Sequence, residues 1–70
     1  MPKLPVLKPK EIIVILKKHG FLEKRQKGSH VLFVNQKINK WTTVPVHNKP
    51  LKKGTLKSIL RQANISVNAL

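Results

Sequence analysis

Apolar residues along this chain follow two spacings, one helical and one alternating. Ile12, Ile15, Leu16 and His19 stand at i, i+3, i+4 and i+7, the stripe of a helix lying on a sheet. Ile13 and Val14 are also apolar, so the predicted buried face is broad and Lys10, Lys17 and Lys18 mostly leave it. Pro9 suits the first helical position, where its missing N–H costs nothing, and Glu11 follows in the turn where the helix dipole favours a carboxylate. Gly20 supplies the left-handed residue that stops such a helix, and His19 in its last turn reads as a capping or packing residue. A second stripe, Leu56, Ile59, Leu60 and Ala63, repeats the helical spacing and predicts a helix from about Lys53. Asn64 is its expected stop, with Ile65 folding back as a hydrophobic contact.

Between the two helices the period shortens. Phe21 to Gln26 is short and partly alternating, with Phe21 and Leu22 expected to pack and the charges to face out. Lys27-Gly28 reads as a turn dipeptide that reverses the chain into Ser29 to Asn35. In that second strand His30, Leu32 and Val34 share one face, with Val31 and Phe33 on the other. Asn35 to Lys40 is polar and predicted as a loop, followed by a β-branched and aromatic strand, Trp41 to Val46. Pro45 cannot donate a ladder hydrogen bond, which places it at an edge or strand end. The order is therefore helix, three strands, helix: an α+β domain with an antiparallel meander covered on one face by both helices. The whole chain, residues 1–70, reads as one domain, with the prolyl lead of residues 1–8 as a loose tail and Ser66 to Leu70 as a loose end.

Charge changes what this small frame is expected to meet. Fifteen Lys and Arg against two Asp and Glu give a formal net charge of +13 and a pI near 11.0, so the partner should be a polyanion. With Glu11 and Glu23 as the only acids, paired-carboxylate hydrolases and protease triads are excluded. There is no cysteine, hence no disulfide and no thiolate zinc site, and neither a structural metal nor a small-molecule cofactor is expected. The longest apolar run, Ile12 to Leu16, is far short of the roughly 20 residues that cross a bilayer, and prolines at 2, 5 and 9 interrupt any signal-peptide pattern. A soluble, intracellular protein is the expectation.

Candidate chemistry gathers at the hairpin, Lys24-Arg25-Gln26-Lys27-Gly28-Ser29-His30. An imidazole, with an unperturbed pKa of about 6.5, moves protons at neutral pH, so His30 is a candidate proton carrier. A hydrogen-bonded structural histidine is the other reading of the same residue. Lys24, Arg25 and Lys27 are candidate phosphate ligands, Lys27 foremost, while Gly28 and Ser29 shape the turn. Ser29 has no carboxylate nearby to complete a Ser-His pair and is read as a turn hydrogen-bond donor. His47 is either a second proton carrier or a loop cap. Lys49, Lys52, Lys53, Lys57 and Arg61 cluster on and before the second helix, as an RNA-phosphate grip or as a solvated polar face. Trp41 reads as a core residue, with base stacking as the alternative.

Four segments in order resemble the HicA toxin family, the ribonuclease half of HicA–HicB toxin–antitoxin modules. They are Leu16 to Phe21, Gly28-Ser29-His30, Thr43-Val44-Pro45-Val46-His47, and Leu51-Lys52-Lys53-Gly54-Thr55-Leu56-Lys57-Ser58-Ile59-Leu60. The resemblance spans about residues 9 to 66, departs from the family at Asn64, where glycine is usual, and carries a longer prolyl lead. It implies a double-stranded-RNA-binding-domain-like fold and cleavage of messenger RNA with His30 as the catalytic residue. It further implies silencing by a HicB-like antitoxin and a prokaryotic, cytoplasmic setting. The competing reading is a non-catalytic RNA-binding module of the same fold.

Overall fold

The computed structural model describes residues 4–70. Helix α1, Pro9–Lys18, begins as its sequence predicts, with Pro9 at the first helical position. Glu11 does more than meet the dipole, because its carboxylate accepts the Lys8 backbone N–H at 2.9 Å and so satisfies a donor ahead of the helix. Ile12 and Leu16 are fully buried, while Val14 and His19 are exposed, which settles the phase of the broad apolar face. The helix ends in a Schellman turn. Gly20 sits at φ +93°, its N–H reaches the Lys17 carbonyl at 3.1 Å, and the Phe21 N–H reaches the Leu16 carbonyl at 2.9 Å.

Three strands follow, β1 (Leu22–Lys27), β2 (His30–Asn35) and β3 (Lys40–Pro45), as an antiparallel sheet in the order β1-β2-β3. Its helix-facing side is built by Val31 and Phe33 of β2 and Thr42 and Val44 of β3, all buried. Phe21, just before β1, is fully buried with them. Burying Phe21 and Phe33 contributes about 1.5–3 kcal/mol each relative to exposure. Among the described residues, the opposite side of the sheet carries no layer: every β1 residue is exposed, as are His30 and Thr43.

Several expectations need correction here. The turn is Gly28-Ser29 and not Lys27-Gly28, because Lys27 is the last residue of β1 and pairs with His30. Leu22 does not pack; it is 72% exposed on the uncovered face. Trp41 is likewise no core residue, at 61% exposed, since alternation with buried Thr42 and Val44 turns it outward. Asn35 is not loop but the buried end of β2. Its Nδ2 donates to the His19 carbonyl at 2.9 Å and its Oδ1 accepts the Lys37 N–H at 3.0 Å, so a polar side chain closes both the helix end and the next turn.

Helix α2, Lys53–Gln62, buries Leu56, Ile59 and Leu60, with Ala63 buried just beyond. It closes as α1 does: Asn64 at φ +57° bonds back to the Arg61 carbonyl, and the buried Ile65 to that of Leu60. Both helices, the inward sheet residues and Leu51 form one core cluster. The expected loose ends are tied in part. Leu7 packs on the core and its carbonyl accepts the Leu51 N–H at 2.8 Å, and Val67–Ala69 forms a 3-10 turn whose Val67 also packs on the core. Residues 1–3 of the expected tail lie outside the described residues.

Candidate active site

The hairpin that presents His30 is held from three directions. Gly28, first of the two turn residues, has φ +59°, the sign a tight two-residue reversal requires there. The Gln26 side-chain amide donates to the Gly28 carbonyl at 3.1 Å and pins the turn from within. The Ser29 carbonyl accepts the Val46 N–H at 2.6 Å, tying the turn to the end of the third strand. Ser29 thus acts through its backbone as an acceptor and not as the turn donor its side chain suggests. His30 emerges exposed, directly opposite Lys27 on one side and Pro45 on the other.

Which cations reach His30 depends on one irregularity. The ladder pairs Glu23 with Phe33 and then Arg25 with Leu32, so Lys24 is an extra residue in a bulge. Without it, the period of two would place Leu22, Lys24 and Gln26 on one face. With it, Leu22, Arg25 and Lys27 share the uncovered face with His30. Directly opposed residues have Cβ atoms about 4.5–5.5 Å apart and diagonal ones about 7–8 Å, so Lys27 is the β1 cation directly beside His30 and Arg25 the diagonal one. Lys24 is not brought to the site. It lines a groove of about 540 Å³ at the far end of the sheet with Gly20, Leu22 and Lys37.

The remaining candidates stand on the helix side. Pro45, His47, Lys49, Lys52 and Thr55 line a cleft of about 300 Å³ where β3 leads into α2. Because Pro45 pairs with His30, this cleft adjoins the same end of the sheet. The His47 Nδ1 accepts the Lys49 N–H at 3.3 Å, which commits one ring nitrogen to the loop. Lys52 is the N-cap of α2 and makes no side-chain cap bond, and the first turn holds no acid. The free backbone N–H groups there, with Lys53 beside them, favour an anion. Lys57, one turn along and exposed, extends the basic strip away from His30.

Sequence reasoning missed Gln26, Asn35 and the outward aim of Trp41. For Trp41 a signal existed: alternation back from Val44 makes Thr42 the inward residue. For Gln26 and Asn35 there was none, since side-chain bonds to a turn carbonyl and to a residue 16 positions away leave no periodic trace.

The family model for the HicA toxin of bacterial toxin–antitoxin systems matches residues 9–65 of the 70. Among curated proteins, none matches the chain.

Proposed function

The chain belongs to the HicA toxin family, toxins of bacterial toxin–antitoxin systems, and from that premise we propose that it is an endoribonuclease acting on messenger RNA. His30 is the proton-transfer residue in this reading, and a HicB-like antitoxin covers the hairpin to keep the toxin silent. The observation that carries it is the exposed imidazole of His30 paired with Lys27 on a sheet face that no helix covers.

The chemistry needs little more. His30 takes the proton of the ribose 2′-OH as its oxygen attacks the adjacent phosphorus, the O2′–P bond forming while the P–O5′ bond breaks. Lys27, and Arg25 diagonally behind it, offset the charge that gathers on the phosphorane oxygens. The departing 5′ oxygen takes its proton from solvent. Lys52 and Lys53 grip backbone phosphates around the end of the sheet, with Lys57 further along the strand, and the strongly basic surface draws RNA in. In this reading His47, whose Nδ1 accepts the Lys49 N–H, caps its loop. No helix among the described residues is long and apolar enough to cross a membrane, and the reading places the toxin in the bacterial cytoplasm with its RNA.

The test is cleavage of an end-labelled transcript by the purified chain and its His30→Ala variant. General acid–base catalysis is worth about 10²- to 10⁴-fold, so the variant should lose at least that while binding RNA as the wild type does. A wild-type chain that binds RNA and leaves it whole under several ionic conditions overturns the nuclease reading in favour of a plain RNA-binding module. The antitoxin is tested by capture from native bacterial extract, where an acidic protein released by high salt is expected and none retained counts against it.

A further inference from the structure

Trp41 stands on the same uncovered face as His30, four residues along the ladder. His30 pairs with Pro45, Leu32 with Thr43 and Val34 with Trp41, so successive rows place the Trp41 backbone about 14 Å from the His30 backbone, from a rise of about 3.3 Å per residue and a strand spacing of about 4.8 Å. Stacked nucleic acid advances about 3.4 Å per nucleotide, so that distance spans roughly four stacked nucleotides, fewer in an extended strand.

The indole borders a pocket. Asn39, Lys40, Trp41, Thr42, Thr43 and Gln62 line about 330 Å³ of space along the outer edge of β3. Ligand pockets run from about 300 to 1,000 Å³, so this one has room for a single flat ring system rather than a folded segment. Its chemistry is that of a base site. β3 is an edge strand, paired only with β2, and its outer backbone groups are free to meet a base edge. The Gln62 Oε1 accepts the Thr42 hydroxyl at 2.8 Å, which anchors the side chain and leaves its NH₂ as a donor; Asn39 adds a second amide. Lys40 adds a cation and the lining holds no acid. The larger groove at the other edge has Glu23 in its wall and no aromatic ring, which suits an RNA strand less.

We propose that Trp41 and the pocket at the free edge of β3 bind one unpaired base of the RNA, a few nucleotides from the phosphate cleaved beside His30. Aromatic stacking is indifferent to which base is present, and the two amides add hydrogen bonds to its edge. The site makes the enzyme select single-stranded stretches, because a duplex offers no unstacked base to the indole.

The proposal rests on RNA being the ligand of this face, and its test does not depend on cleavage. Trp41 is the only tryptophan and the chain has no tyrosine, so its emission reports this pocket alone. In the His30→Ala chain, an unpaired RNA oligonucleotide should quench that emission, and a duplex of equal length should bind without quenching. Trp41→Ala should weaken binding of the unpaired strand about 5- to 150-fold, the range set by loss of one base–aromatic stack, with duplex binding unchanged and Trp41→Phe recovering most of the loss. The site is overturned if the bound single strand leaves the emission unchanged, or if Trp41→Ala binds single strand and duplex as the parent does. Burial of the indole by a co-expressed partner protein, with RNA still failing to quench, overturns it in favour of a protein anchor. Quenching by RNA from a wild-type chain that cleaves nothing supports the base site and sinks the nuclease reading instead.

Discussion

Replacing Gly20 by alanine should be the most damaging of the three glycine substitutions, and the geometry around it sets the size of the loss. Its φ of +93° is a conformation that costs an L-residue about 1–2 kcal/mol. An added Cβ would also sit 3.2 Å from Asn35 Nδ2 and 3.7 Å from Asn35 Cγ. That amide cannot swing away freely, because it holds the His19 carbonyl at one end and the Lys37 N–H at the other. Losing the bond to His19 adds about 0.5–1.5 kcal/mol, for a total of about 1.5–3.5 kcal/mol. A domain of this size loses about 4–8 °C of melting temperature per kcal/mol, so Gly20→Ala should melt about 6–28 °C lower. Gly28 is the control for backbone strain. At φ +59°, with nothing within 4 Å of an added Cβ, Gly28→Ala should cost only the conformational penalty of a left-handed alanine, about 1–2 kcal/mol. Gly54→Ala is the opposite control. It lies in helix α2 with open space around it, and it should stabilise by up to about 1 kcal/mol, because glycine in a helix carries excess entropy in the unfolded chain. Urea unfolding followed by circular dichroism reads all three as shifts in midpoint at constant slope. A Gly20→Ala chain no less stable than Gly28→Ala would refute the Asn35 argument, since the two positions would then differ by nothing but φ.

Two further outcomes follow from the site. His47→Asn keeps an acceptor where the imidazole nitrogen meets the Lys49 N–H at 3.3 Å. RNA cleavage should therefore stay within about threefold of wild type, well inside the loss of about 10²-fold or more expected of a general acid or base; initial rates on a labelled transcript check it. Lys52→Ala and Lys53→Ala should each lower the slope of log affinity against log salt by about 0.7 for single-stranded RNA, measured by filter binding, and an unchanged slope removes that lysine from the phosphate grip.

The uncovered sheet face explains why this chain can be small and still carry a site. Both helices lie on one side, so the residues of the other side answer to the pairing of the strands and not to the core. Lys27, His30, Arg25 and Trp41 are therefore free to serve a ligand, while Val31, Phe33, Thr42 and Val44, one step along the same strands, hold the fold.

Local pattern was enough for the order of elements, the buried face of α2, the left-handed stops at Gly20 and Asn64, and the side of β2 on which His30 stands. Each of these is decided within one helical turn or one strand period, where side-chain spacing and backbone preference act directly. Register was not legible, and register settles the chemistry. The bulge at Lys24 and the Gly28-Ser29 turn bring Lys27 and Arg25 to the face of His30 and send Lys24 away, and they arise from how β1 and β2 fit together. Nor could the sequence show that Leu22 stays exposed, since an apolar side chain is buried only where another element covers it, and the helices cover one face of the sheet.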